Sequence, residues 1–277
     1  MDLTKKFAFT ALALMASGQV AAADYSKVSE IPFKDDNFKQ CVIAQNIEDP
    51  ATITKLDCSQ FSINTIDELA NFPALKELQV SGSELKHVDL THNPALESVF
   101  ITKSKIDNID VSQNPQLKEL GVSFNRLSQI DLSHNPNLTD LAVVANNLTT
   151  LDLSKNPQLK YLWADRNQFT TIDFSHNPNL VQAGLAENQL TTVNVSKSGK
   201  LKSLSLMYNQ VVALDVTHNV QLEKLRLTDN KLTSVDVSKN HKLRSLWLTD
   251  NPLTKLDIRA NPKLDDYEAD DSVTIIK

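Results

Sequence analysis

The stretch from Leu159 to Asn179 reads LKYLWADRNQFTTIDFSHNPN, and it is one unit of a series that keeps one spacing and one phase. The leucine that opens this unit recurs every 21 residues, at Leu75, Leu96, Leu117, Leu138, Leu159, Leu180, Leu201, Leu222, Leu243 and Leu264. A period held over so many units is typical of a solenoid, in which each unit covers the apolar face of the next.

Each unit contains two short segments in which apolar and polar residues alternate, as at 120–122 and 151–153. Alternation with a period of two predicts strands that point their apolar side chains inward. An asparagine follows each segment, such as Asn167 and Asn177 in the quoted unit. Because asparagine tolerates left-handed backbone and bonds nearby amides, we expect these residues to turn the chain at the corners.

The pattern LxxLxLxxNxL resembles the leucine-rich repeat superfamily, and it is met at Leu117, Leu120, Val122, Asn125 and Leu127. The 21-residue length and the second LxxLDLxxN half are similar to the bacterial subclass called IRREKO, and the first repeat, from Ile53, looks like an internalin repeat. The resemblance implies a β-rich, right-handed solenoid of about eleven coils. It also implies a continuous parallel sheet on the concave side and short strands on the convex side.

The two ends differ from the repeat. Residues 1–23 predict a signal peptide, with Lys5 and Lys6 before an apolar core and cleavage after Ala23, so we expect a secreted or periplasmic protein. Residues 24–52 predict an N-terminal cap with one short helix, and 53–264 form the leucine-rich repeat domain. Residues 265–277 predict an acidic C-terminal cap that resists pairing at the sheet edge.

Cys41 and Cys58 are the two cysteines of the chain. Export places them in an oxidising compartment, which favours a disulfide between them at the capping end. The alternative, two buried free thiols, stays open at this point.

Composition and charge exclude several classes of protein. The net charge of −6 argues against a basic nucleic-acid surface, and no apolar run after the N-terminal segment is long enough to cross a membrane. The chain lacks the GxSxG, HExxH, Walker and GxGxxG motifs. We therefore expect neither an enzyme nor a bound cofactor, and no metal site.

The residues expected to face outward from the concave strands are mostly small or polar, with exceptions that predict a binding surface. The central column contains Phe100, Trp163, Arg226 and Trp247, with Tyr161 beside Trp163 and Met207 beside Ser205. Large aromatic side chains on a solvent-facing sheet are typical of interface anchors. Gly121, Ala142, Gly184 and Ser205 predict shallow depressions around Trp163. The alternative is that Trp and Phe merely favour strands and fill gaps in the sheet.

The convex segments repeat an aspartate: Asp89, Asp110, Asp131, Asp152, Asp173, Asp215, Asp236 and Asp257. Stacking places like charges close together, so the His or Lys three places later, such as His176, is the expected compensation. A metal ladder is the less favoured alternative, because successive histidines lie two coils apart and cannot share one ion.

Together these features predict a monomeric, exported protein that binds a protein partner through its concave sheet. Internalin likeness extends this to host interaction or adhesion by analogy alone. Two alternatives remain open: carbohydrate binding through the exposed Trp and Tyr side chains, and a rigid structural component of the cell envelope.

Overall fold

The computed structural model describes residues 25–277, and the predicted signal peptide, 1–23, lies outside the described residues. One α-helix, α1 (Asp36–Ile43), and short 3-10 helices at Val28–Glu30, Pro50–Thr52 and Asp67–Asn71 accompany the strands. The strands are β1 (Lys55–Asp57), β2 (Glu77–Ser81), β3 (Ser98–Thr102), β4 (Glu119–Gly121), β5 (Asp140–Ala142), β6 (Tyr161–Trp163), β7 (Thr171–Asp173), β8 (Gln182–Gly184), β9 (Thr192–Asn194), β10 (Ser203–Ser205), β11 (Lys224–Arg226), β12 (Ser245–Trp247), β13 (Lys255–Asp257), β14 (Asp266–Glu268) and β15 (Thr274–Ile276).

The predicted solenoid is confirmed, and one strand from each coil forms the concave sheet. This sheet has 11 parallel strands in the order β1-β2-β3-β4-β5-β6-β8-β10-β11-β12-β14. Its register follows the repeat, so that Leu162 lies beside Leu141 on one side and Ala183 on the other. The repeated leucines from Leu75 to Leu243 point inward and are fully buried, and Leu264 in the last coil is partly buried, which gives one continuous apolar core along the stack.

Regular strands on the convex side form in two places only among residues 25–277, where β7 pairs with β9 and β13 pairs with β15. Elsewhere the segments keep their alternating burial without a ladder. Clefts of about 460 Å³ and 420 Å³ open between such segments, beside Ile109 and Ile130 and beside Leu214 and Val235. Coils that are held at ladder spacing on the concave side must diverge on the outer side of a curved stack, which explains the missing pairs.

Asparagine was predicted at the corners because it tolerates left-handed backbone, but the left-handed conformation belongs to other residues. After the concave strands the positive φ belongs to the preceding residue, at Lys103, Phe124, Ala145, Arg166, Glu187, Tyr208, Asp229 and Asp250, with Gly82 in the same place. Such a conformation costs roughly 1–2 kcal/mol for a residue with a Cβ. The asparagine side chain offsets this cost by bonding backbone groups of its own and the neighbouring coils.

Two columns of asparagine make these bonds. Asn167 Nδ2 donates to the carbonyl of Val143 at 2.9 Å, and its Oδ1 accepts from the amide of Leu148 at 3.1 Å. In the second column Asn177 Nδ2 donates to the carbonyls of Leu153 and Asn156. The corner asparagines therefore join successive coils, in addition to turning the chain.

The N-terminal end of the core is covered by α1 and a disulfide. Asp35 caps the helix by accepting from the amides of Asn37 and Phe38 at 2.8 and 2.9 Å. Cys41, on the buried face of the helix, is bonded to Cys58 in the first coil, with a Cα–Cα distance of 5.5 Å. The predicted disulfide is confirmed.

The segment 265–277, predicted as an acidic cap, contributes the last strand of both faces. β14 ends the concave sheet, and β15 pairs with β13 on the convex side. Its acidic residues therefore lie on an edge strand, where charge opposes pairing with another chain.

Candidate functional site

The central outward column of the concave sheet has the predicted composition. Cross-strand register places Phe100 beside Gly121, Ala142 beside Trp163, and Arg226 beside Trp247. All the large side chains of this column are partly exposed, so they lie outside the core.

Tyr161 and Trp163 form a stacked pair near the middle of the sheet. Their ring centroids lie 5.9 Å apart with an angle of 14° between the planes. The strand β6 directs both side chains to the same face because they are two residues apart. Within residues 25–277 no acceptor bonds the indole N–H of Trp163, so the pair is held by ring packing and not by polar contacts.

The expected depressions around Trp163 are partly filled. A Cβ at Gly121 would collide with the ring of Phe100, whose Cδ1 and Cε1 atoms occupy that space. A Cβ at Gly184 would lie 2.9 Å from an oxygen of Asp165. The small residues thus accept neighbouring side chains, because an aromatic ring or carboxylate covers backbone that would otherwise be exposed. Ala142 remains as the small neighbour beside Trp163.

Trp247 belongs to a separate cluster with its own partners. The guanidinium of Arg226 lies 4.6 Å from the centre of the Trp247 ring. The indole Nε1 donates to both carboxylate oxygens of Asp266 at 3.2 Å, and Ser245 Oγ donates to Oδ2 of the same residue at 2.7 Å. The hydrogen bonds from Ser245 and Trp247 hold the pKa of Asp266 below its ordinary value. Ser245, Trp247 and Asp266 therefore bond one another within the chain, whereas Arg226 Nε is buried without a hydrogen-bond partner.

The structure therefore places the six predicted residues in separate positions along one face. Tyr161 and Trp163 form one cluster, and Arg226 and Trp247 form a second. Trp247 lies four strands, or about 19 Å, farther along the stack than Trp163. Phe100 packs on Gly121 at the N-terminal side, and Met207 lies between the two tryptophans, partly buried. The assignment of these residues to a binding surface remains a prediction.

Sequence reasoning missed two acidic residues beside the stacked pair. Asp140 is the cross-strand neighbour of Tyr161, and Asp165 follows Trp163 on the same outward side. Asp165 Oδ1 accepts from the amide of Ala186 at 2.7 Å, and burial raises the pKa of this carboxyl above its ordinary value. For Asp165 the signal was an acidic residue where most other coils have a small, hydroxylated or apolar side chain; the column of Asp140 is often charged and gave no such signal.

Two further aromatic residues are exposed on the rim of the concave sheet, outside the predicted set. Phe124 is 45% exposed and Tyr208 is 51% exposed. Both occupy the left-handed corner position, which projects the side chain away from the coil. They extend the aromatic surface beyond the central column.

The convex aspartates are compensated differently from the expectation. All but Asp257 bond the Ser or Thr two places later, as where Ser175 N and Oγ donate to the Asp173 carboxylate at 2.9 and 2.7 Å. Asp257 instead bonds Arg259, whose Nη2 lies 2.7 Å from its carboxylate. Within residues 25–277 only His92, 3.9 Å from Asp89, brings the expected basic residue within ion-pair distance. The expectation of His or Lys as the general partner is wrong, because the local turn supplies donors without ordering a long side chain. The same hydrogen bonds lower the pKa of the aspartates at 89, 131, 152, 215 and 236.

Two further observations bear on the predicted absences. Across residues 25–277, no group of three or more His, Cys, Asp or Glu side chains is arranged to hold a metal ion. In the same part of the chain no helix has the length and apolar character needed to cross a membrane.

Comparison with solved structures gives related solenoids. The functional domain of InlJ from Listeria monocytogenes, which includes a cysteine ladder, has a TM-score of 0.81 and 28% identity over 87% of this chain. The leucine-rich repeat protein LIC12759 from Leptospira interrogans has a TM-score of 0.68, with 23% identity over 75% of this chain. The internalin InlF from Listeria monocytogenes has a TM-score of 0.62, with 16% identity over 88% of this chain and 97% of its own.

The first two structures are longer than the part that this chain matches. This chain spans 60% of the InlJ domain and 57% of LIC12759. The InlJ domain includes a cysteine ladder. This chain has two cysteines in all, and the ladders that join its coils consist of asparagine side chains. No family model and no curated protein sequence matches the chain. By its repeat, its sheet and its structural neighbours, the chain is an internalin-like leucine-rich repeat solenoid.

Proposed function

We propose that this chain is an exported recognition module that binds a protein partner through its concave sheet. The observation that carries the proposal is the partly exposed stack of Tyr161 and Trp163 near the middle of an otherwise mostly polar sheet. Aromatic side chains that pack on each other, and not under the core, are typical of interface anchors.

The size of the surface supports a protein as the partner. Trp163 and Trp247 are about 19 Å apart, which one small molecule does not span and a protein interface of about 800 Å² per partner does. Met207 and Arg226 lie on strands or corners between these positions, and Phe100 lies three strands before Trp163 on the N-terminal side; all three would add peripheral contacts.

Export is part of the proposal. The disulfide between Cys41 and Cys58 is typical of proteins outside the reducing cytosol. The internalin-like neighbours support a surface or secreted role by analogy of fold.

An array of purified exported proteins and glycans, probed with wild type and with Trp163→Ala, tests the proposal. We expect a protein signal that weakens by at least ~2 kcal/mol in the variant, as for an interface anchor. The matched control is Thr150→Ala, an exposed position away from the concave strands, which should leave binding unchanged.

The folding of each variant is measured in parallel. Trp163→Ala should unfold close to the wild-type midpoint because its side chain lies outside the core. If the variant unfolds, the ring is structural and the site is misplaced. Glycan signals alone would support carbohydrate binding instead, and no signal at all would favour the rigid structural role.

A further inference from the structure

The two tryptophans of the concave sheet have different neighbours at equivalent positions. On the strand before Trp247 the cross-strand neighbour is Arg226, whose guanidinium covers the indole ring. On the strand before Trp163 the equivalent cross-strand neighbour is Ala142. The chain therefore supplies its own cation to one tryptophan and leaves a methyl group beside the other.

Carboxylates lie on both sides of the Tyr161 and Trp163 pair. Glu119 and Asp140 are cross-strand neighbours in the outward column that continues into Tyr161. Asp165 lies on the other side of the rings, with one oxygen bonded to the amide of Ala186 and the other over Gly184, the cross-strand neighbour of Trp163.

These three carboxylates have no basic partner of their own. Within residues 25–277, none of them forms an ion pair. Arg166 is instead paired with Glu187 at 2.9 Å, and Lys118 with Glu97 at 2.6 Å. Lys160 adjoins Tyr161 in sequence, but it makes no ion pair with them either. Burial raises the pKa of Asp165, and the neighbouring charge of Glu187 raises it too, against an opposite effect of Arg166, which is itself paired with Glu187.

We infer that the acidic aromatic patch, formed by Glu119, Asp140, Ala142, Tyr161, Trp163 and Asp165, takes an arginine side chain from a basic segment of the partner. The guanidinium would stack on Trp163 above Ala142, as Arg226 does on Trp247, and bond Asp140 or Asp165. Arginine fits better than lysine because its planar group stacks on an aromatic ring and bonds a carboxylate through two donors. This inference rests on the proposed concave binding function and adds the chemistry of the partner.

The probe is tetra-arginine with blocked ends, and the reporter is the emission of Trp163. The chain has two tryptophans, so Trp247→Phe leaves Trp163 as the single reporter while keeping an aromatic ring beside Arg226. We expect saturable quenching by tetra-arginine at low salt, a weaker effect of tetra-lysine, and none from tetra-glutamine or tetra-glutamate.

Three variants in this background locate the binding. Asp140→Asn with Asp165→Asn should weaken tetra-arginine binding by about tenfold or more, because whichever carboxylate bonds the guanidinium becomes neutral and both negative charges beside the rings are lost. Ala142→Arg should abolish it by filling the position from within the chain. The matched control Asp110→Asn, on the convex side, should leave the affinity unchanged, and unfolding curves verify that each variant is folded.

The inference is overturned if tetra-glutamine binds as well as tetra-arginine, if tetra-arginine gives no saturable signal, or if the Asp140 and Asp165 variants have no effect. A protein partner that is lost on Trp163→Ala but retained by the double Asn variant would overturn this inference alone. A partner indifferent to both would overturn the proposed concave site as well.

Discussion

Replacing Asn167 by alanine would remove the hydrogen bonds by which this side chain joins its own coil to the preceding one. Its Nδ2 donates to the carbonyls of Val143, Ala164 and Asp165 at 2.9, 3.3 and 3.2 Å, and its Oδ1 accepts from the amide of Leu148 at 3.1 Å. Because the side chain is buried, water does not replace these bonds without a rearrangement of the corner.

The magnitude follows from which groups keep a partner. The carbonyl of Val143 still accepts from Asn146, and that of Ala164 from Asn188, both at 3.1 Å. The amide of Leu148 loses its acceptor inside the core, and such an orphaned donor costs about 1–3 kcal/mol. With the loss of the weaker bonds we expect Asn167→Ala to lower the free energy of unfolding by about 2–4 kcal/mol.

Urea unfolding followed by circular dichroism measures this loss, and amide exchange at Leu148 tests its location. The exposed neighbour Asn147 provides a control, and Asn147→Ala should stay within about 0.5 kcal/mol of wild type. Asn167→Asp keeps an acceptor for Leu148 but turns a carboxylate oxygen toward carbonyls, so it should be at least as damaging as alanine. An Asn167→Ala protein as stable as the control, with unchanged exchange at Leu148, would refute the reasoning.

Three other results are expected. Replacing both Cys41 and Cys58 by serine should lower the stability to urea by about 3 kcal/mol, because the bond closes a short loop of the unfolded chain, and unchanged stability would contradict this. The pKa of Asp257 is lowered from 3.8 to about 2, chiefly by a hydrogen bond from the side chain of Arg259. Its contribution to stability should therefore be complete above pH 3.8 and be lost as the pH falls through 2, and NMR titration of Asp257 at or above 3.8 would reject the pairing. Gly121→Ala should push the Phe100 ring off the sheet, because the added Cβ would collide with that ring. NMR should then show changed ring-current shifts of nearby methyl groups, and unchanged shifts would show that the Phe100 ring does not lie against Gly121.

Much of the fold was predictable from the sequence, because a strict 21-residue period determines which side chains stack. Once coils are in phase, Leu162 must lie between Leu141 and Ala183, and the outward column containing Trp163 follows from alternation along the strand. The pairing of Cys41 with Cys58 was also predictable, since the sequence has two cysteines, both near the predicted capping end, and each has the other as its only partner within the chain.

The detail of the surface was decided by tertiary structure. Gly121 is covered by the ring of Phe100, and Gly184 by the carboxylate of Asp165. Both contacts come from side chains of adjacent coils that share no sequence motif. The same holds for the different surroundings of the two tryptophans. Both occupy the same position of the repeat, but Arg226 covers one ring and Ala142 adjoins the other, because cross-strand neighbours are set by stacking and not by proximity along the chain.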